Sequence, residues 1–236
     1  MRKKISIRID GEYVEAWEGQ TILEVARASG KFIPSLCYFP GLSAAGACRL
    51  CVVEISGIGR LTPACTTAAQ DGMSVTTVSE RLARYRKIIV ELLLTERNHY
   101  CSVCVSNGNC ELQTMATKLG VTHVRYSYGY PKLAVDVSHE KFVLDHNRCI
   151  LCTRCVRVCA EIEGAHVWDI GSRGIYSMLV SDLNKPWGNS KSCTSCGKCV
   201  QACPTGALAE KGFAVEEMKK SNESIARLAA RRGAHE

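Results

Sequence analysis

The chain has few aromatic residues and no long hydrophobic run. Aromatic side chains make up 6% of its 236 residues, and a core this modest needs covalent or metal-based reinforcement. The longest apolar stretch, residues 88–94, is interrupted by Glu91. It is too short to cross a bilayer, so we expect no direct membrane insertion.

The N-terminus lacks the apolar segment of a secretory signal. Residues 1–8 alternate charged and apolar side chains, whereas a signal peptide needs a continuous apolar core. The 15 cysteines are therefore not expected to form the disulfides of a secreted protein. We predict a cytoplasmic location, where thiols stay reduced and can bind metal.

Eight of the cysteines form two copies of one spacing, C-x2-C-x2-C-x3-C. The first run contains Cys149, Cys152, Cys155 and Cys159, and the second run contains Cys193, Cys196, Cys199 and Cys203. In a two-cluster bacterial ferredoxin, three cysteines of such a run hold one [4Fe-4S] cluster and the fourth holds the other. The predicted ligand sets are therefore crossed: Cys149, Cys152, Cys155 and Cys203 for one cluster, and Cys159, Cys193, Cys196 and Cys199 for the other.

Zinc is the alternative metal for these runs, because C-x2-C pairs also build zinc ribbons. A tetrahedral zinc site uses two separated pairs, which leaves the third cysteine of each run without a role. One position departs from the ferredoxin pattern, since Ala160 follows the first run where Pro204 follows the second. Brown colour, acid-labile sulfide and bleaching by dithionite would distinguish the two metals.

A third group of cysteines lies near the N-terminus with the spacing C-x10-C-x2-C-x13-C. Its members are Cys37, Cys48, Cys51 and Cys65. Four thiolates in one small unit suit a [2Fe-2S] cluster, although the spacing differs from the plant-type one. A structural zinc site remains the alternative here.

The elements around this group predict a small mixed sheet crossed by one helix, the β-grasp plan. A capping box of Thr21 and Glu24 opens the helix, and Asp10–Gly11 is a tight hairpin turn. The predicted elements are a hairpin over 5–16, a helix over 22–29, and strands over 52–55 and 73–78.

The remaining cysteines, Cys101, Cys104 and Cys110, are one short of a [4Fe-4S] ligand set. His99 is the nearest candidate for the fourth ligand, because imidazole suits iron. A histidine beside cysteines is also often only a hydrogen-bonding residue, and an open position on the cluster is then the alternative. The other candidate ligands are His123, His139 and His146.

Further elements are predicted from hydrophobic periodicity and caps. Ser79 caps a helix over 80–95 that packs between domains, with a stripe of Leu82, Tyr85, Ile88, Ile89, Leu92 and Leu93. A short helix covers 111–119, and strands over 167–170 and 175–180 form a hairpin. The last 27 residues are charged and indicate a solvated helix or a partner-dependent tail.

These elements predict the α+β class with separate cluster-bearing domains. We predict a [2Fe-2S] β-grasp domain over 1–79, a helical [4Fe-4S] domain with one histidine and three cysteines over 80–120, a linker over 121–140, a two-[4Fe-4S] ferredoxin-like domain over 141–210, and a charged tail over 211–236.

The net charge and the glycine pattern exclude two kinds of ligand. The formal charge of +7 is nearly cancelled by 15 thiolates and four oxidised cores of roughly +2 each. Arg49, Arg148, Arg154, Arg157 and Lys198 are therefore expected to compensate clusters, and nucleic acid is not a predicted partner. Gly57-Ile58-Gly59 lacks the rest of the dinucleotide fingerprint, so no NAD site is expected in this chain.

The order of the motifs resembles known iron–sulfur subunits. The N-terminal cysteine group, then His99 with C-x2-C-x5-C and Glu111-Leu112-Gln113, then paired ferredoxin runs are similar to the N-terminal modules of the complex I large iron–sulfur subunit and of iron-only hydrogenases. Residues 1 to about 210 most resemble the small diaphorase subunit of NAD-reducing nickel–iron hydrogenases. The chain stops 33 residues after Cys203, which favours this subunit over relatives with large C-terminal domains. The relatives of all these kinds usually have His-x3-Cys, where this chain has His99-x-Cys101.

The resemblance implies an electron-relay subunit of a hydrogen:NAD+ oxidoreductase with one [2Fe-2S] and three [4Fe-4S] clusters. It implies no catalytic residue and no substrate site in this chain. The implied partners in a hetero-oligomer are a diaphorase subunit that binds FMN and NAD and the small subunit of a [NiFe] hydrogenase. The alternative is an electron-input subunit of a formate dehydrogenase or a complex I-like NADH dehydrogenase.

Overall fold

The structure is a computed structural model that describes residues 3–129, 131–214, 217 and 222–232. Helices and short strands are mixed along the chain, and its buried side chains form three apolar cores. The predicted α+β class is confirmed. Within the described residues, no helix has the length and hydropathy needed to span a membrane.

The N-terminal region is a five-stranded mixed sheet in the order β2-β1-β5-β3-β4. Its strands are β1 Lys4–Ile9, β2 Glu12–Trp17, β3 Val52–Ile55, β4 Ile58–Pro63 and β5 Ser74–Thr76. Strands β1 and β5 are parallel, and the other neighbours are antiparallel. The exposed and half-exposed edge strand β4 was not predicted, because its sequence lacks an alternating apolar pattern.

Helix α1, Ile22–Ala28, packs its apolar side against this sheet. The side chain of Thr21 accepts a hydrogen bond from the Glu24 amide, and the Glu24 carboxylate accepts one from the Thr21 amide. This reciprocal pair is the predicted capping box. The loop that follows α1 carries Cys37, so the cap helps to place the first cysteine of the chain.

Helix α2, Glu80–Glu96, begins at the Ser79 cap, and its buried side agrees in part with the predicted stripe. Leu82 is fully buried, and Ile88, Ile89 and Leu93 are half-buried. Tyr85 and Leu92 are each close to half exposed, whereas Arg86 and Glu91 are buried. The Arg86 guanidinium donates to the carbonyls of Val52 and Thr77 at 2.8 and 2.9 Å. Arg86 and Glu91 therefore join most of the predicted stripe on the buried side, which a count of apolar residues alone does not predict.

The C-terminal cysteine runs lie in a region with a three-stranded antiparallel sheet, in the order β10-β7-β6. Its strands are β6 Val135–Asp136, β7 Phe142–Asp145 and β10 Leu208–Glu210. The other elements are α3 Glu111–Lys118, α4 Arg154–Arg157, a π-helix Val158–Glu163, the hairpin of β8 Trp168–Gly171 and β9 Met178–Ser181, α5 Lys198–Ala202, and 3-10 turns at Cys101–Val103, His146–Arg148, Gly174–Tyr176 and Trp187–Asn189.

Two predictions for this region differ from the structure. The second hairpin strand was expected to start at Ile175 but starts at Met178, because a 3-10 turn occupies Gly174–Tyr176. The expected linker over 121–140 contains strand β6, which pairs with β7 beside the cysteine runs. Local hydrogen bonds from the Tyr176 and Ser177 amides to the carbonyls of Arg173 and Gly174 close the 3-10 turn, whereas β6 is a two-residue strand that depends on pairing with β7.

Helix α6, Asn222–Arg232, is the described part of the predicted solvated tail, and one side of it is buried. Ile225 is 2% and Ala229 5% exposed. A Cβ added to Gly41 would lie 2.3 Å from the Cβ of Ala229, so only glycine allows this approach. Full solvation of the helix was a wrong expectation, and residues 215–216, 218–221 and 233–236 of the tail lie outside the described residues.

One apolar core joins the N-terminal and C-terminal regions. It combines Leu36 and Leu50 from the cysteine loop of the first region, Val90 from α2, Leu112 from α3 and Ile150 from the first run. Cys37, Cys48, Cys110 and Cys152 belong to the same core. Members of three cysteine groups are therefore packed around a single centre.

Candidate metal centres

The four N-terminal cysteines lie together in the interior. Cys37, Cys48, Cys51 and Cys65 are each at most 5% exposed. The thiol of Cys37 is within hydrogen-bonding reach of Cys48 and Cys65, and that of Cys51 is within reach of Cys65. The Leu36 amide also donates to the Cys48 sulfur at 3.4 Å.

These contacts split the pKa values of the N-terminal thiols. Hydrogen bonds from Cys48 and Cys65 hold the pKa of Cys37 far below its ordinary value, and the bond to Cys37 raises the pKa of Cys48. A hydrogen bond from Cys65 likewise lowers the pKa of Cys51. Four sulfur ligand atoms that already hydrogen-bond one another fit the thiolate set of a [2Fe-2S] cluster.

Cys203 lies with the first three cysteines of the other run. Cys149, Cys152, Cys155 and Cys203 line one cavity, together with the apolar side chains of Ile170, Leu179 and Leu208. Burial, with a smaller contribution from the charge of Cys203, raises the pKa of Cys149 to about 11 and that of Cys152 to about 12. Thiolates in this apolar cavity would need a cationic centre to offset their charge, and an iron–sulfur core would supply one.

Cys159 lies in turn with the first three cysteines of the second run. Cys159, Cys193, Cys196 and Cys199 line a cavity whose wall includes Trp168 and Trp187. Trp187 Nε1 donates to the Cys193 sulfur at 3.3 Å, and the Trp168 side chain hydrogen-bonds Cys199. Cys196 is exposed, so this cavity lies at the surface.

Both runs use left-handed backbone on either side of their second cysteine. Leu151 and Thr153 have φ values of 50° and 60°, and the equivalent Ser195 and Gly197 have 56° and 71°. This conformation is strained for Leu and Thr and persists only where the surroundings impose it. In the first run it turns the Leu151 amide toward the Cys149 sulfur at 3.4 Å.

The remaining cysteines form a cavity with His99. Cys101, Cys104, Cys110 and His99 line this cavity together with Arg148 and Gly206. His99 Nε2 is buried and has no hydrogen-bond partner among the described residues. Burial and the charge of Arg148 lower the pKa of His99 to about 4, so the ring is neutral at pH 7 and this nitrogen can bind iron.

The other three candidate histidines lie elsewhere. His123 is exposed. His139 Nε2 is 3.9 Å from the sulfur of Cys193, in the second-run cavity. His146 is buried but is not part of the wall of the His99 cavity. Of the four candidate histidines, only His99 lines the same cavity as the three cysteines.

Gly206 is a part of the His99 cavity that the sequence did not reveal. A Cβ added at this position would lie 2.7 Å from the sulfur of Cys104. The backbone after Cys203 therefore passes directly against the neighbouring cysteine group. Because this contact joins residues far apart in the chain, no local signal could have identified it.

The basic residues expected near clusters have different environments. Arg154 is 4% exposed and makes two hydrogen bonds, of 2.6 and 2.8 Å, to Glu111, which follows Cys110. Arg157 is buried against backbone carbonyls, and Lys198 forms an ion pair with Glu163. Arg49 is exposed. The two tryptophans that donate to sulfur were not predicted from the sequence.

Comparison with known proteins matches three iron–sulfur family models along the chain. Residues 2–80 match a 2Fe-2S iron-sulfur cluster binding domain, and residues 86–125 match the NADH-ubiquinone oxidoreductase-G iron-sulfur binding region. Residues 141–209 match the ferredoxin-like domain of NADH-quinone oxidoreductase subunit 3. The prediction of 2Fe-2S and 4Fe-4S binding domains is confirmed at this level.

Similar proteins include both long and short chains. The alpha subunit of the NADPH-Fe(3+) oxidoreductase of Geobacter sulfurreducens is 39% identical over 209 residues, 89% of this chain and 24% of that protein. The gamma subunit of the NAD-reducing hydrogenase HoxS of Cupriavidus necator is 33% identical over 208 residues, 88% of this chain and 87% of that one. The chain belongs to the family of this gamma subunit. It spans only about a quarter of the Geobacter relative.

A solved structure supports the family assignment. A chain in the crystal structure of an NAD+-reducing [NiFe]-hydrogenase in the H2-reduced state has a TM-score of 0.85 and 38% sequence identity, with 89% of each chain covered. That solved chain therefore shares the architecture described above over 89% of its length. The predicted resemblance is confirmed.

Proposed function

We propose that this chain relays single electrons through one [2Fe-2S] and three [4Fe-4S] clusters and has no substrate site of its own. The observation that carries the proposal is the sorting of the ligand-type side chains into four separate sets of four. Three of the sets line cavities, and the fourth is a contact group of buried thiols. Clusters bound there would supply one-electron redox chemistry.

The proposed ligands follow from these sets. Cys37, Cys48, Cys51 and Cys65 would hold the [2Fe-2S] cluster. The three [4Fe-4S] clusters would be held by His99, Cys101, Cys104 and Cys110, by Cys149, Cys152, Cys155 and Cys203, and by Cys159, Cys193, Cys196 and Cys199. The amide and indole N–H groups that face the sulfurs would stabilise the reduced, more negative state.

The proposed partners are a subunit that binds FMN and NAD and the small subunit of a [NiFe] hydrogenase. Similarity to a subunit of an NAD-reducing hydrogenase and to a chain of a solved NAD+-reducing [NiFe]-hydrogenase supports this hetero-oligomer. Hydride and hydrogen chemistry would then belong to the partners, and this chain would carry electrons between them. A reducing cytoplasm would keep the thiols available for iron.

The test is the activity of the isolated, cluster-loaded chain. It should contain iron and acid-labile sulfide and be bleached by dithionite, but it should neither oxidise NADH nor take up hydrogen. Adding the flavin subunit should restore NADH-dependent reduction of a viologen dye. NADH turnover by a preparation free of flavin would contradict the proposal.

A second candidate is an electron-input subunit of a complex I-like NADH dehydrogenase or of a formate dehydrogenase. The observation that favours the complex I-like form is the match of residues 86–125 and 141–209 to models named for NADH dehydrogenase subunits. Anaerobic purification with native partners separates these functions. Nickel in the complex supports the hydrogenase, whereas molybdenum or a membrane arm supports the second candidate.

His99 is proposed as the fourth ligand of the cluster at Cys101, Cys104 and Cys110. Replacing a thiolate by neutral imidazole removes one negative charge, so the potential of this cluster should exceed that of an all-cysteine one. His99→Cys should therefore lower the potential, and His99→Ala should leave an open or three-iron cluster. An unchanged spectrum and potential in His99→Ala would exclude His99 as a ligand.

A further inference from the structure

The buried guanidinium of Arg157 connects two cysteine-bearing segments. Arg157 Nη2 donates to the carbonyl of Cys37 at 2.5 Å and to that of Cys152 at 3.2 Å. Its Nη1 donates to the carbonyl of Ser43 at 2.5 Å. One side chain thus bonds the backbone of a proposed [2Fe-2S] ligand and that of a proposed ligand of the first-run cavity.

The π-helix that follows Arg157 holds the same loop from a second point. Glu161 accepts a hydrogen bond from the Ser43 amide at 2.9 Å and another from the Ser43 hydroxyl. The loop between Cys37 and Cys48 is therefore fastened to the C-terminal region through Arg157 and Glu161. π-helical turns are rare in proteins, and those that occur frequently lie at functional sites.

The charge of Arg157 has an unusual environment. The side chain is buried, with 8% exposure, and its main-chain acceptors are neutral carbonyls. Within the described part of the chain, no carboxylate forms an ion pair with it. A buried cation without an anionic partner is costly, whereas anionic clusters held by Cys37 and Cys152 would offset this cost from two sides.

We propose that Arg157 is a positioning residue that sets the separation between the [2Fe-2S] cluster and the [4Fe-4S] cluster of Cys149, Cys152, Cys155 and Cys203. The proposal rests on the proposed function, because it requires both clusters. The planar guanidinium of Arg157 can bond two carbonyls at once with fixed geometry. A lysine ammonium on a flexible stem reproduces this geometry poorly. The positive charge between the clusters also favours the reduced state of each.

Arg154, on the same helix α4, provides a matched control. It is as deeply buried as Arg157, but its hydrogen bonds go to Glu111 beside Cys110. Its contact with the loop of Cys37 is a cation–π contact, with the guanidinium carbon 5.5 Å from the centre of the Phe39 ring, and a lysine ammonium can also make such a contact. Replacing either arginine by lysine removes a planar guanidinium group from α4 and keeps the positive charge. Only the Arg157 change removes hydrogen bonds that reach the N-terminal region.

The experiment uses the full chain loaded with its clusters and compares wild type, Arg157→Lys, Arg157→Gln and Arg154→Lys. Iron and sulfide contents establish loading. Electron paramagnetic resonance of the reduced protein measures the spin–spin interaction of the [2Fe-2S] cluster with its neighbour, and redox titration gives its potential. Arg157→Lys should weaken the interaction with little change in potential. Arg157→Gln should weaken it and also lower the potential, and Arg154→Lys should retain the wild-type interaction.

The results that would overturn the proposal are specific. An unchanged interaction in fully loaded Arg157→Lys would refute it, and so would an equal loss in Arg154→Lys, which would indicate general loosening of α4. If Arg157→Gln does not load its clusters, Arg157→Lys alone decides. A wild-type chain that takes up no iron and sulfide would refute the proposed function itself, which is a different result from loaded clusters with unchanged coupling.

Discussion

The two ferredoxin runs have the same cysteine spacing and left-handed backbone at equivalent positions, but the side chains that surround them differ. The cavity of Cys149, Cys152, Cys155 and Cys203 is lined by aliphatic side chains. The cavity of the second run is lined by two tryptophans and includes the exposed Cys196. Spacing therefore determines which sulfurs converge, whereas the neighbouring elements determine how polar and how accessible each site is.

The runs also differ in the backbone after the fourth cysteine. Helix α5 ends at Ala202, and Cys203 is extended before Pro204, with φ −67° and ψ 123°, as expected for a residue that precedes proline. Ala160 imposes no such restriction, so the first run continues into the π-helix Val158–Glu163. That continuation places Glu161 against Ser43 and Glu163 beside Lys198.

The largest effect is expected from substitutions that test the crossed ligand sets of the two runs. Cys203→Ala should remove the cluster of Cys149, Cys152 and Cys155 and should also destabilise the fold, because cluster binding contributes to folding. Cys159→Ala is the matched variant and should remove the cluster of the second run. Iron content and spectroscopy of both variants check this, and loss of the second-run cluster in Cys203→Ala would refute the crossed ligand sets.

The next largest effect is expected from substitutions of the residue that follows the fourth cysteine of each run, which is Ala160 in the first run and Pro204 in the second. Ala160→Pro gives the first run the proline of the second and should lower the free energy of unfolding by about 3 kcal/mol, because proline disrupts a helix interior. Pro204→Ala should cost about 1 kcal/mol or less, chiefly through the unfolded state. Urea unfolding of the loaded proteins measures both. Similar values for the two variants would show that the π-helix has no special role.

A smaller effect concerns the potentials of the two sites. Trp187→Phe removes the N–H donor to Cys193 and should lower the potential of the second-run cluster by about 40 mV, which corresponds to one hydrogen bond of about 1 kcal/mol. Trp168→Phe should act in the same direction through Cys199. Redox titration of each cluster tests this, and an equal shift at the first-run cluster would contradict the assigned contacts.

The smallest effect concerns Glu163 at the edge of the second-run cavity. Hydrogen bonds from Lys198 and Thr194 hold its pKa below the ordinary value. A lowered pKa means that the carboxylate stabilises the fold above its unfolded-state pKa and that this contribution is lost as pH falls through the folded-state pKa. Glu163→Gln should therefore be less stable than wild type at neutral pH, by at most about 1 kcal/mol.

The pH dependence of that difference provides the check. Urea midpoints of Glu163→Gln and wild type should converge as the solution becomes acidic. A difference that persists at acidic pH would indicate that the glutamate acts through packing and not through its charge.

Several features of the protein could be predicted from local sequence because they depend on near neighbours. The capping box of Thr21 and Glu24, the Ser79 cap and strand β3 occur where expected. The grouping of cysteines by spacing is also a local property, and it predicted the iron–sulfur domains. The ligand set of each cluster stays a prediction, with a geometry that agrees with the proposed sets.

Other features were decided only by tertiary structure, since they join residues far apart in the chain. Arg86 of α2 is buried against the carbonyls of Val52 and Thr77, and one side of α6 is buried where it approaches Gly41. Arg157 bonds the carbonyl of Cys37, 120 positions away. Such contacts depend on how separate elements pack, and hydrophobic periodicity carries no information about a buried arginine that bonds backbone carbonyls.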